Sequence, residues 1–107
     1  MQPKAPKFGR FAEPSLLILV SLSDGPKHGY AIMQDVEGGT GRPMGAGTLY
    51  AALARLEEQG LVEPLTPIDR RRPYRLTAVG ASMLAEQLRG LTAFAQQGLR
   101  HLGEGPP

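Results

Sequence analysis

The apolar residues of the chain fall into runs of different rhythm. Leu16–Leu22, inside PSLLILVSLS, is nearly continuous, which by itself fits a buried strand or a buried helix. Pro14 suits the first turn of a helix, Asp24-Gly25-Pro26 breaks the run, and no pairing hairpin follows it, so the pattern predicts a buried helix. A second helix starts near His28, with Gly29, Ile32, Met33 and Val36 on one face, and ends at Gly38-Gly39. The stretch GGTGRPMGAG holds five glycines in ten residues and reads as a loop. A third helix begins about Ala46, carries Leu49, Ala52, Leu53 and Leu56 at helical spacing, and has Gly60 placed as its C-cap.

Two short strand candidates follow, LVEPLT and PYRLT, joined by PIDRRR. Pro64 and Pro73 would remove ladder donors and belong at an edge or a strand start. A two-stranded ribbon is marginal alone and must lean on the helices. From residue 78 to about 102 the pattern predicts one long helix with Thr77 as N-cap. On it Ala81, Leu84, Leu88, Leu91, Ala95, Gly98 and Leu102 alternate at spacings of three and four, a heptad seam. Packing on its own domain uses Val79, Met83 and Leu84 in part, but the later turns extend beyond any core this domain offers, so the seam predicts a partner helix in a homodimer, with Leu84, Leu88, Leu91, Ala95, Gly98 and Leu102 at the interface.

Three short helices, a ribbon and a long helix describe a mainly α fold: a winged helix-turn-helix with a two-stranded β-wing plus a long C-terminal dimerisation helix. The expected divisions are a basic N-terminal arm at 1–13, the winged helix-turn-helix at 14–77, and the dimerisation helix and tail at 78–107. The join between the third helix and the first strand then has a purpose, because recognition helix and wing must approach the same duplex.

Charge sharpens this picture through its placement. The formal net charge is only +2, but RRRPYR puts Arg70, Arg71, Arg72 and Arg75 in six residues, which suggests a polyanionic partner. A solvated charge run is the bland alternative; at a hairpin tip beside a recognition helix the guanidiniums are placed to grip phosphates or enter a minor groove. On the third helix, Gly47, Ala51 and Ala54 lie opposite the leucines, flanked by Thr48, Tyr50 and Arg55. Small residues let the helix sink into a major groove, and the flanking polar groups reach bases or phosphates. Lys27 and His28 open the second helix, where backbone N–H groups favour a phosphate.

Other chemistries find little support. There is no cysteine, so a disulfide scaffold and a thiolate zinc site are excluded and a reducing compartment fits. The two histidines lie far apart and no carboxylate pair marks a cleft, so no enzyme, metal site or cofactor is expected. The glycine loop lacks the G-K-[ST] ending of a P-loop and follows a helix. Lys4, Lys7 and Arg10 before an apolar run mimic a signal peptide, yet the run is short and no A-x-A site follows. The expectation is a cytoplasmic protein without a membrane span.

Three blocks, HGYAIMQ at 28–34, GTLYAALARLEEQGLVE at 47–63 and YRLTAVGASML at 74–84, resemble the signature blocks of the PadR family of transcriptional regulators, in the same order. The resemblance spans roughly 14–88 and is to the short members with a single C-terminal helix. It implies a homodimeric winged-helix repressor on a palindromic operator in double-stranded DNA, released by a small aromatic compound lodged at the dimer interface. Phe8, Phe11, Leu16, Met83 and Phe94 are the apolar residues this chain offers for such a pocket. Gly45 and Ala46 depart from the polar cap common before the GTLY block, and tryptophan is absent. The alternative function is a winged-helix module for protein–protein assembly without DNA readout.

Overall fold

A computed structural model describes residues 13–104. The order is α1 (Pro14–Leu22), β1 (Lys27–His28), α2 (Gly29–Thr40), α3 (Ala46–Glu58), β2 (Val62–Pro64), β3 (Pro73–Leu76) and α4 (Ala78–His101). This is the winged-helix arrangement the pattern predicts, with the long C-terminal helix in place. Phe8, Phe11 and all of the expected arm except Glu13 lie outside the described residues.

The apolar run is indeed a helix. Pro14 sits in the first turn of α1, and Ile18, Leu19 and Leu22 are buried. They meet Ile32 and Val36 from α2, Leu49, Ala52, Leu53 and Leu56 from α3, and Leu61 and Val62 from the wing root in one core. The apolar sets of α2 and α3 anticipated from the 3.6-residue period thus face the same interior.

α2 runs past the expected stop at Gly38-Gly39 to Thr40, and ends at Gly41 with φ 76°. The buried Thr40 hydroxyl donates to the Val36 carbonyl at 2.7 Å, anchoring the last turn to the core side. The two glycines face open space, so only their helix propensity opposes the extension, by about 1 kcal/mol each. α3 starts from an extended Gly45 without a side-chain cap. It ends in a Schellman motif: Gly60 adopts φ 75°, its N–H donates to Glu57 O at 3.0 Å, and Leu61 N–H donates to Leu56 O at 2.9 Å. That turn drops Leu61 and Val62 straight into the core and launches the wing.

The sheet has three antiparallel strands in the order β1-β3-β2. Pro73 opens β3 and Pro64 closes the edge strand β2, the positions where a missing donor is tolerated. The strand unforeseen from the pattern is β1, which pairs Lys27 with Tyr74 and His28 with Pro73 and so ties the start of α2 to the wing.

α4 docks by its first turns. Thr77 Oγ1 accepts from Gly80 N–H at 3.0 Å and donates to Gly60 O at 2.6 Å. A Cβ on Gly80 would lie 2.0 Å from the Leu61 carbonyl oxygen, so only glycine allows this approach. Leu84 is 3% exposed and belongs to the chain's own core, which corrects its assignment to a dimer interface. Its register faces α1 and the wing root before the helix leaves the domain. Past it, Leu88, Leu91, Phe94, Leu99 and Leu102 are exposed. No described helix is long and apolar enough to cross a membrane.

Candidate nucleic-acid interface

The wing is longer than its two strands. Ile68 and Arg71 exchange both backbone hydrogen bonds, at 2.8 and 2.9 Å, leaving Asp69 and Arg70 as a two-residue turn. Both have positive φ, 51° and 67°, the pattern of a type I′ hairpin in which asparagine and glycine are the favoured occupants. Arg70 is therefore held at the tip in a conformation that disfavours its own side chain.

Beneath the tip a cleft of about 450 Å³ is lined by His28, Gly29, Tyr30, Tyr50, Arg70, Arg71, Arg72 and Tyr74. Four elements supply it: β1, the first turn of α2, the first turns of α3, and the wing. Gly29 makes the convergence possible, because the Tyr50 side chain occupies the space its Cβ would take. Arg71 Nη1 lies 3.4 Å from His28 Nε2. Among the described residues Arg70, Arg71 and Arg72 form no salt bridge, and the lining includes no carboxylate. Partial burial, with the Glu57 charge adding to it, pushes the Tyr74 phenol up, so it stays a hydroxyl at neutral pH. Three uncompensated guanidiniums with tyrosine hydroxyls around one concavity suit an anion bearing several acceptor oxygens.

Of the residues singled out from sequence, His28, Tyr50, Arg70, Arg71 and Arg72 meet here. Thr48 is exposed on the first turn of α3 at the other edge of the small-residue face formed by Gly47, Ala51 and Ala54. Tyr30 and Tyr74 were not anticipated; the tyrosine of the HGY block was the signal that could have found the first.

Three residues expected at phosphates stand outside this cleft. The Lys27 ammonium is bonded to Asp24 and the Ser21 carbonyl and lies 3.1 Å from Asp35 Oδ2. Burial pulls its pKa down, but the two carboxylates together outweigh this and hold it above its ordinary value. Its charge serves the α1–α2 junction. Arg75 is paired with Glu63 at 2.5 Å, directly across β2 and β3, so its charge is compensated. Arg55 stands on the Thr48 border of α3 and lines a cleft with Glu13, Leu16, Met83 and Gln87. Seven residues bring it back to within about 20° of Thr48, well over a right angle from Tyr50.

That second cleft, about 580 Å³ between α1, α3 and α4, brings Leu16 and Met83 together as the effector reading requires. Phe94 does not line it and is 74% exposed. It lies eleven residues beyond Met83, about 16 Å along the helix. Among the described residues no cluster of three His, Asp or Glu side chains is placed to hold a metal.

The family model for the transcriptional regulator PadR-like family matches residues 18–86, from α1 through the first turns of α4. The chain belongs to the PadR-like family. An uncharacterized 37.1 kDa protein in transposon TN4556 of Streptomyces fradiae is 45% identical over 78 residues, 73% of this chain. The chain spans only 23% of that relative's length. Among solved structures, H. salinarum RosR is 28% identical with a TM-score of 0.70, covering 77% of this chain and 74% of RosR. A PadR family transcription regulator from hypervirulent Clostridium difficile R20291 is 24% identical with a TM-score of 0.72, covering 85% of this chain and 98% of its own. A transcriptional regulator from Clostridium thermocellum matches equally well, at 0.72 and 24% identity over 92% and 97% of the two chains. These likenesses support the PadR-like winged-helix fold for the geometry described above.

Proposed function

We propose that this PadR-like chain is a homodimeric, sequence-specific regulator of a palindromic operator in double-stranded DNA, with residues 14–77 reading the duplex and 78–107 pairing protomers. The observation that carries this reading is the cleft of three unpaired arginines, three tyrosines and His28 beside the exposed face of α3. α3 enters the major groove by its small residues, Thr48 and Tyr50 reach base edges from its two borders, and Arg70, Arg71 and Arg72 hold flanking phosphates. The exposed leucines of α4 join two such units, setting their α3 helices about 34–36 Å apart, one turn of the duplex. Bound there, the dimer represses by occluding the promoter. A flat aromatic guest in the cleft lined by Leu16 and Met83 releases it, since that cleft adjoins the α4 face used for pairing.

Duplex binding by wild type and by the Arg70→Ala, Arg71→Ala, Arg72→Ala triple variant, titrated with salt, tests the reading. The triple variant should bind every sequence more weakly, with a slope of log affinity against log salt flatter by up to about 0.9 per lost phosphate contact. Substitutions at Thr48 or Tyr50 should weaken the operator more than random DNA. An unchanged salt slope in the triple variant overturns the wing assignment and favours a module for protein–protein assembly.

A further inference from the structure

We infer that His28 and Arg71 form one phosphodiester site, in which a neutral imidazole protonated on Nε2 donates to the same backbone phosphate as the guanidinium. This rests on the DNA-binding reading above and deepens it by assigning a tautomer and a shared ligand.

Both ring nitrogens of His28 face donors. Nδ1 accepts from Ala31 N–H at 3.4 Å as the N-cap of α2, while Nε2 faces Arg71 Nη1, also at 3.4 Å. A neutral imidazole offers one acceptor nitrogen and one donor, and a guanidinium only donates. If Nδ1 keeps the cap, the Nε2 proton points at the arginine. If Nε2 accepts from the arginine, Nδ1 carries the proton and opposes the Ala31 N–H. The protein's own groups cannot satisfy both contacts.

A phosphate between the two side chains removes the conflict. Its oxygens accept from Nε2–H and from Arg71, and Nδ1 keeps the cap. The side chains that line the cleft with it are the guanidiniums of Arg70, Arg71 and Arg72 from the wing and the phenols of Tyr30, Tyr50 and Tyr74 from α2, α3 and β3. A ring protonated on both nitrogens would have no acceptor left for the Ala31 N–H and would surrender the cap. One residue therefore both fixes the first turn of α2 and touches the duplex backbone, so that seating on phosphate and orientation of α2 are coupled.

Nitrogen-15 spectra of the imidazoles in the full chain read the tautomer directly, recorded free, with a random-sequence duplex, and with inorganic phosphate at matched phosphate concentration. In the duplex complex His28 should carry its proton on Nε2 with Nδ1 as acceptor, and inorganic phosphate should leave the free spectrum largely unchanged. His28→Asn retains a capping oxygen but is too short to reach the phosphate. It should keep the thermal midpoint, bind the duplex about three- to tenfold more weakly, and leave the salt slope unchanged because the lost donor is neutral. Arg71→Gln should lower affinity and slope together, and the double variant should lose less than the product of the two single losses. Nε2 unprotonated in the complex, wild-type affinity in His28→Asn, or multiplicative losses in the double variant overturn the shared site. The same spectral change with inorganic phosphate assigns the site to a free anion and overturns the duplex backbone as its ligand. If wild type fails to bind the duplex, the DNA-binding reading itself falls. The spectra need no variant, so the inference stays open to refutation even if His28→Asn unfolds.

Discussion

The Cβ that Gly29 lacks would stand 2.4 Å from the Tyr50 hydroxyl oxygen and 2.9 Å from the ring carbon that bears it. The first turn of α2 and the recognition edge of α3 are thus fitted to each other through a missing methyl group. Gly29→Ala should destabilise the fold by about 1–3 kcal/mol through overpacking and displace Tyr50 from the cleft. In a Tyr50→Ala background the same change should cost less, leaving only the Leu49 Cδ2 contact at 3.1 Å, while alanine restricts the unfolded chain and fits a helix better than glycine. Denaturant unfolding of the four proteins in this cycle measures the coupling. Equal costs in both backgrounds would separate Gly29 from Tyr50.

Arg70 occupies a left-handed position with φ 67°, where glycine would be unstrained. Arg70→Gly should therefore stabilise the wing by up to about 1 kcal/mol while weakening duplex binding and flattening its salt dependence. Opposite signs for stability and binding are the expected signature of a residue retained for its charge. Thermal unfolding and binding on the same preparation check it, and a loss of stability would show that the turn does not strain the arginine.

How much was legible in the sequence depended on whether the deciding partner was local. The helical spacing of the α3 leucines and the cap at Gly60 are each set within five residues, and the pattern placed them. β1 escaped because Lys27-His28 has no strand pattern of its own and exists only through its pairing with Tyr74 and Pro73. The charges divided in the same way. Arg75 and Glu63 stand twelve residues apart and meet only through the ribbon register, while Lys27 meets Asp35 only because α1 and α2 pack. Arg70, Arg71 and Arg72 form no salt bridge among the described residues, although Asp69 shares the hairpin tip with them. Leu84 fits a heptad and a core equally in sequence, and the depth at which α4 leaves the domain decided between them.

The Asp35 carboxylate accepts from the Ser21 hydroxyl at 2.9 Å and from Lys27 at 3.1 Å, and these bonds hold its pKa below the ordinary 3.8. A carboxyl depressed in the folded state stabilises above its unfolded pKa, and that contribution is lost as pH falls through the folded value. Asp35→Asn should therefore lower the thermal midpoint by a few degrees at neutral pH, and the gap from wild type should close below about pH 4. Melting curves of both proteins across the acid range check it; a gap independent of pH would make the effect one of packing alone.

Leu16 and Met83 share the cleft between α1 and α4, and methionine adapts readily to a flat guest. A guest that induces must bind the released dimer better than the DNA-bound one, by about 1.4 kcal/mol for each tenfold loss of operator affinity. Calorimetry with planar aromatics should find binding tighter than about millimolar to wild type, worth at least 4 kcal/mol, and weaker binding to Met83→Ala. Phe94→Ala should affect the guest only if the partner protomer brings Phe94 to the cleft. No binding to wild type would leave a regulator without an aromatic effector.

Leu84 and Leu91 occupy the same face of α4 two turns apart, yet one is 3% exposed and the other 46%. That difference separates folding from pairing. Leu84→Ala removes core volume and should destabilise each protomer by about 2–5 kcal/mol. Leu91→Glu touches no core residue of its own protomer, so it should leave helicity intact while placing a charge in the seam. Each leucine buried across a two-helix seam contributes on the order of 1.5–3 kcal/mol, and the seam meets itself about a two-fold axis, so both copies lose it. The dissociation constant should rise by roughly two orders of magnitude or more, since each 1.4 kcal/mol is a factor of ten. Sedimentation at micromolar concentration should then find Leu91→Glu as a folded monomer beside a dimeric wild type. Its operator affinity should drop as well, because two half-sites held by one dimer become two independent encounters. A dimer that survives Leu91→Glu would move the interface to another surface, and an operator affinity that survives it would show that one winged helix suffices for recognition.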